Sequence, residues 1–165
     1  MVGQVRQVGA PRAEGVPVDP RAVELLSRAD AELLAAQFSS EAWEQFSHAH
    51  LAALRAGAAV VASRGKPAGR RSLRTVWEML DVVAPELASW SGYFAGAAAL
   101  RSAVDAGRFD SVTPSRAEQA VCAAEDFVDA ARAAVAASWP ESAARFGVAG
   151  AGAAAAPRML AVRAS

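Results

Sequence analysis

The chain has 165 residues, with 17 basic and 17 acidic side chains and one cysteine, Cys122. That length suits one domain able to bury its own core, and zero net charge excludes an evenly basic coat for nucleic acid while leaving room for a local patch. A single cysteine excludes an internal disulfide framework, and with only two histidines it also excludes a structural zinc site.

Residues 1–18 carry glycine, proline and isolated charges without periodicity, so a flexible N-terminal arm is expected there. They lack the apolar run of a signal peptide, which points to the cytosol. Asp19-Pro20 reads as an N-cap followed by a first helical residue. Val23, Leu26, Leu33, Leu34 and Phe38 come next at helical spacing, with Ala22 and Ala29 filling gaps, and predict a helix over about 20–37. Arg28, Asp30 and Glu32 fall on or near its wet side.

Ser39 or Ser40 is the expected cap of a second helix, with Glu41 in the first turn where the helix dipole favours an anion. Its stripe is Phe46, His50, Ala53, Gly57 and Val60, widened by Leu51, Leu54, Ala58 and Val61. It should stop near Arg64-Gly65, because Pro67 and Gly69 disfavour its continuation. Residues 64–74 then form a loop holding Arg64, Lys66, Arg70, Arg71 and Arg74 and no acid.

Ser72 or Thr75 can start a short helix carrying Val76, Trp77, Leu80 and Val83. Pro85 opens the next one, whose stripe of Leu87, Trp90, Phe94 and Ala97 continues to Leu100 and Val104 and ends at Gly107. The small residues Ala88, Gly92, Ala95, Gly96 and Ala99 predict close helix packing. Thr113-Pro114 and Ser115-x-x-Glu118 give two overlapping helix starts, the second a capping box. Val121, Ala124, Phe127, Val128, Ala131 and Val135 carry that helix to Trp139-Pro140. The Ala/Gly-rich residues 140–165 are expected to be a disordered tail. No β-type alternation and no bilayer-length apolar run occurs. The expectation is an all-α antiparallel bundle of four main helices and one short helix over 19–139. Alanine, about a quarter of the chain, favours helix because it loses no side-chain entropy.

Candidate chemistry concentrates near the two histidines. His48 and His50 are two apart and point about 200° away from each other on a helix, so they cannot share one metal. No HExxH, CxxC, Walker A or GxGxxG pattern is present, and no cofactor or metal site is expected. His50 lies on the apolar stripe as a core or interface histidine with one hydrogen bond. His48 can share a polar face with Arg55. Cys122 has the carboxylates Glu118 and Asp126 four residues away on either side and no histidine beside it to activate a nucleophile, so a small, partly buried role is expected. Together with His48 and Arg55, the loop residues Arg64, Lys66, Arg70, Arg71 and Arg74 form the candidate contact site for RNA or a nucleotide. Trp43, Phe46, His50, Trp77 and Trp90 are the candidates for an interface or for an internal pocket.

The segments AHLAALRAGAAVVASRGKP, RSLRTVWEMLDVVAPELASWSGYFAGAAALRSAVDAG and SVTPSRAEQAVCAAEDFV resemble the small actinobacterial HEPN-domain proteins of the SAV_6107-like family, over roughly 19–139. VWEMLDVVAPELASWSGYFA is the most specific piece. The resemblance implies a bundle of four to five helices that often dimerises. It also implies proteins that act as RNases or as partners of nucleotidyltransferases. Active members share an Arg-x4-6-His motif near the last core helix. Arg116 stands at the matching helix start, but Val121, Cys122 and Ala123 occupy the positions where histidine is required. Residues 41–45, ahead of His48 and His50, contain no arginine. The imidazole that would move a proton near neutral pH is missing from that motif. The expected function is therefore a non-catalytic, homodimeric interaction module with a protein partner such as a nucleotidyltransferase. The alternative is an RNA or nucleotide binder, or a divergent RNase, using the basic loop.

Overall fold

A computed structural model describes residues 19–67 and 75–138. The described residues form helices and turns, without a strand. Three helices are long: α1 (Pro20–Phe38), α2 (Ala42–Arg64) and α6 (Pro114–Ala137). Three are short: α3 (Val76–Val83), α4 (Ala88–Gly96) and α5 (Ala98–Asp105). The all-α bundle is as expected. The proposed arm, the proposed tail and most of the basic loop, including Arg70, Arg71, Ser72 and Arg74, lie outside the described residues, as does Trp139.

Local chemistry explains the boundaries. The Asp19 carboxylate accepts from the Arg21 backbone N–H at 2.8 Å, and Pro20, which has no N–H to satisfy, takes the first helical position. Thr113 caps α6 in the same way, through the Arg116 N–H at 3.2 Å, ahead of Pro114. The capping box anticipated at Ser115 and Glu118 therefore does not form. One does form at α3, where Thr75 Oγ1 accepts from Glu78 N–H and Glu78 Oε2 accepts from Thr75 N–H. Ser39 belongs to α1 rather than α2: its N–H and hydroxyl both bond back to the Ala35 carbonyl. Glu41 holds the N-cap position of α2 without a side-chain bond. At the end of α5, Gly107 takes a φ of 81°, and Arg108 N–H and Gly107 N–H close on the carbonyls of Ala103 and Val104.

The stretch after Pro85 is not one helix. A 3-10 turn over Pro85–Leu87 leads into α4, and the chain bends at Ala97 before α5. The small residues Ala88, Gly92, Ala95, Gly96 and Ala99 are all exposed, with open space at the two glycines. They mediate no packing, because Leu87, Ser91, Phe94 and Ala97 take the buried side.

Pairing across the helices fixes their directions. Glu32 meets His48 while Arg28 meets Arg55, so α1 and α2 run antiparallel as a hairpin. Gln37 bonds Glu125 and Asp30 pairs with Arg132, so α1 and α6 are antiparallel too. It follows that α2 and α6 run in the same sense, with α3–α5 as the crossover between them.

Much of the contact between the long helices is made by alanine. Ala22, Ala29, Ala49, Ala52, Ala56 and Ala59 are fully buried, as are Ala117, Ala124 and Ala131. Volume is supplied by a few aromatics where α2, α3, α4 and α6 converge. The Trp77 and Phe94 rings stack with centroids 5.4 Å apart, and Phe127 lies 5.6 Å from Phe94 and 5.8 Å from Trp90. The α1 stripe differs from expectation: Ala22, Leu26, Ala29 and Ala36 are buried, whereas Val23, Leu34 and Phe38 are 50%, 55% and 82% exposed. The close approach that alanine permits rotates α1 so that Ala22, Ala29 and Ala36 face the bundle.

Gly57 of α2 packs directly against α3. A Cβ there would lie 3.0 Å from Val76 Cγ1 and 3.4 Å from the Trp77 ring. Alanine would gain about 1 kcal/mol of helix propensity, but overpacking costs about 1–3 kcal/mol when the neighbour is a stiff, branched side chain. Gly57→Ala is therefore expected to lower stability in urea melts. The loss should shrink in a Val76→Ala background, where the obstructing methyl is gone.

Candidate functional site

His48 and His50 leave α2 on different sides and meet different chemistry. His48 Nδ1 lies 2.6 Å from Glu32 Oε2, and Arg55 approaches the other oxygen of the same carboxylate at 2.9 Å. Arg55 also donates to the Arg28 carbonyl at 3.2 Å. One carboxylate from α1 thus gathers the histidine and the arginine that the sequence places seven residues apart on α2. Glu32 is mostly covered, not on the wet side where its position in the helical repeat suggested. The His48 side chain stays 38% exposed, while the Arg55 guanidinium is taken up by intramolecular partners. Their outer partners remain in contact with solvent, so such pairs contribute about 0–1 kcal/mol each.

His50 is buried among Phe46, Trp77 and Phe94, with ring centroids about 6 Å away in each case. The expected hydrogen bond is missing at Nδ1, which has no partner among the described residues. Ser91 Oγ is likewise buried without one. Burial pushes the imidazole below its ordinary pKa; the Arg101 guanidinium adds to this and Asp105 opposes it. Both belong to α5, where Arg101 pairs with Asp105 at 3.0 Å and donates to the Ser47 carbonyl at 3.1 Å.

Arg116, at the start of α6, lies over the Tyr93 ring at 5.3 Å and donates to its hydroxyl at 2.9 Å. Arg116, Tyr93 and His50 line one crevice between α2, α4 and α6, but it has no room for a water molecule. Sequence reading missed Tyr93 and Glu32. Neither lies in a motif, and only the packing of α1 on α2 and of α4 on α6 gives each its partner.

The remaining candidates are dispersed. Arg64, the last residue of α2, donates to the Val83 carbonyl at 2.9 Å and pairs with Glu86 at 2.5 Å, so it ties α2 to the α3–α4 joint rather than extending from the loop. Its hydrogen bond holds the Glu86 carboxyl below the usual range. Lys66 is exposed. Trp43 stacks on Phe109 at 4.3 Å, away from Trp77 and Trp90, which pack around Phe127, so the three tryptophans do not line a common pocket. Cys122 is exposed, not partly buried. Among the described residues no group of His, Cys, Asp and Glu could hold a metal ion, and no helix is long and apolar enough to cross a membrane.

Residues 36–132 match the SAV_6107-like HEPN family. No curated protein and no solved structure matches the chain.

The His50 environment sets a pH response. Around the ordinary histidine pKa the unfolded chain binds a proton at His50 that the folded chain does not. Its contribution is therefore fully present above that range and is lost as pH falls through it. One proton accounts for a slope of at most about 1.4 kcal/mol per pH unit. Urea melts from neutral to mildly acidic pH should show that His50→Phe flattens the decline. A variant with the wild-type slope would mean that another group is responsible.

Proposed function

The chain belongs to the SAV_6107-like HEPN family, and from that premise we propose that it is a non-catalytic HEPN-like interaction module. It acts in the cytosol as a homodimer and engages a second protein, a nucleotidyltransferase being the kind the family resemblance implies. Its setting is nucleic-acid metabolism or a toxin–antitoxin-like pair. The observation that carries this reading is the outer face of α1, where three large apolar side chains are exposed: Val23, Leu34 and Phe38. A lone exposed leucine is ordinary, but several large ones on one helix face favour a partner. The histidines support the same reading. His48 is tethered to Glu32, and His50 is held among aromatic rings beside a crevice too narrow for water. Neither stands with Arg116 in an open cleft where RNA could be turned over.

Light scattering coupled to size-exclusion chromatography over a wide dilution series is expected to give a dimer mass that falls toward the monomer on dilution. A monomer at every concentration overturns the homodimer. The competing reading, RNA or nucleotide binding, draws on exposed Lys66 and on Arg70, Arg71 and Arg74 in the adjacent sequence. Labelled RNA should bind weakly, and only at low salt, if the interaction reading holds. Binding that persists at moderate salt and disappears in Arg70→Ala/Arg71→Ala would replace it.

A further inference from the structure

We propose that two copies pair through α1 about a two-fold axis lying between Asp30 and Ala31, with Phe38 of each copy seated in a groove beside Val23 of the other. This pairing rests on the homodimer proposed for the chain and assigns the surface that makes it.

Rotation by about 100° per residue brings Val23, Leu34 and Phe38 within an arc of roughly 60°. Ser27, Asp30 and Ala31 fall on or beside the same arc and are also exposed. Among the described residues Phe38 is the most exposed large apolar side chain, at 82%. At the other end of this face, α1 and α6 leave a groove of about 290 Å³. Leu26 and Val135 form its floor, Val23 and Ala136 its walls, and the Asp30–Arg132 ion pair its lip. Knob and groove are thus on one face, separated by about 22 Å along the helix from residue 23 to residue 38.

That separation selects the symmetry. A two-fold axis through the midpoint fills both grooves at once, because each residue then meets its counterpart in reverse order. A head-to-tail arrangement leaves one groove and one phenylalanine unused and propagates into a filament. The polar groups agree with the closed form. Asp30 and Arg132, 2.8 Å apart, sit next to the axis, so a second copy sets its Arg132 against this copy's Asp30 and the reverse. Ala31, also at the axis, is small enough for the two helices to approach closely. Two helices of this length with their α6 edges bury on the order of 1,000 Å² in total, the low end for a specific interface. Most of α1 precedes the stretch matched by the family, so the family assignment does not supply this interface.

The test uses the full chain with Cys122→Ser, which removes its own exposed thiol. Phe38→Lys and Val23→Lys are exposed changes; lysine suits the helix dipole at the C-terminal end of α1 and opposes it slightly in the first turn, so Phe38→Lys should melt as the parent does and Val23→Lys only slightly below it. Sedimentation velocity should show each weakening the dimer at least tenfold. Under mild oxidant, Ala31→Cys should form a disulfide-linked dimer, whereas Ser102→Cys on α5 should not. A parent dimer unaffected by Phe38→Lys, with no Ala31→Cys cross-link, overturns this interface and leaves the homodimer standing. A concentration-driven ladder of species larger than the dimer overturns the two-fold arrangement. A parent that is monomeric throughout removes both.

Discussion

Alanine decides how closely the long helices of this bundle come together. With methyl groups at Ala22, Ala29, Ala52, Ala56, Ala124 and Ala131, the seams between α1, α2 and α6 are narrow, and each buried residue contributes little apolar area. The large side chains are therefore concentrated where α3 and α4 cross the bundle, at Trp77, Phe94 and Phe127. Dispersion contacts among rings supply there what alanine cannot supply elsewhere. This division also explains His50. An imidazole is tolerated in the aromatic cluster because it is held neutral, and Arg101 and Asp105 sit at the edge rather than inside.

The same constraint governs what reaches the surface. Once Ala22, Ala29 and Ala36 turn inward beside Leu26, the side chains of Val23, Leu34 and Phe38 are left facing outward. An exposed Phe38 is thus the counterpart of a buried Ala22 and Ala29. The polar contacts obey the same geometry. Glu32 is drawn into the α1–α2 seam because alanine spacing brings it within reach of His48 and Arg55, and those two side chains are then no longer available as free groups.

Much of the fold could be read from the chain. Asp19-Pro20, Thr113-Pro114 and Gly107 act through local backbone chemistry and set boundaries independent of packing. The α2 stripe of Phe46, His50, Ala53, Gly57 and Val60 was legible from its helical spacing and is buried, but the second buried face of α2, Ala49, Ala52, Ala56 and Ala59, was not, because the larger Leu51 and Leu54, which are only partly covered, drew the apolar arc to the other side. Where alanine competes with larger residues for the core, periodicity misleads. On α1 the pattern favoured Val23, Leu34 and Phe38, and close packing favoured Ala22, Ala29 and Ala36. The small-residue run of α4 failed for a related reason, since Phe94 and Trp90 took the inner side. Of the site, the shared face of His48 and Arg55 was visible from their spacing. Glu32 and Tyr93 were not, because each comes from another helix and neither belongs to a motif. Arg64 read as part of a basic loop because sequence cannot show that Val83 and Glu86 lie across from it.

The shared direction of α2 and α6 has a kinetic consequence. The α1–α2 hairpin closes over a three-residue connection and can form as soon as both segments exist. α6 docks beside α2 only after the roughly fifty residues of the crossover have been brought round, and loop closure of that size is entropically slower. During synthesis Phe127 is among the last of the core residues to be made. The nascent chain therefore carries Trp77 and Phe94 without their final neighbour until α6 arrives, and that interval is when it most needs shielding from other unfinished chains.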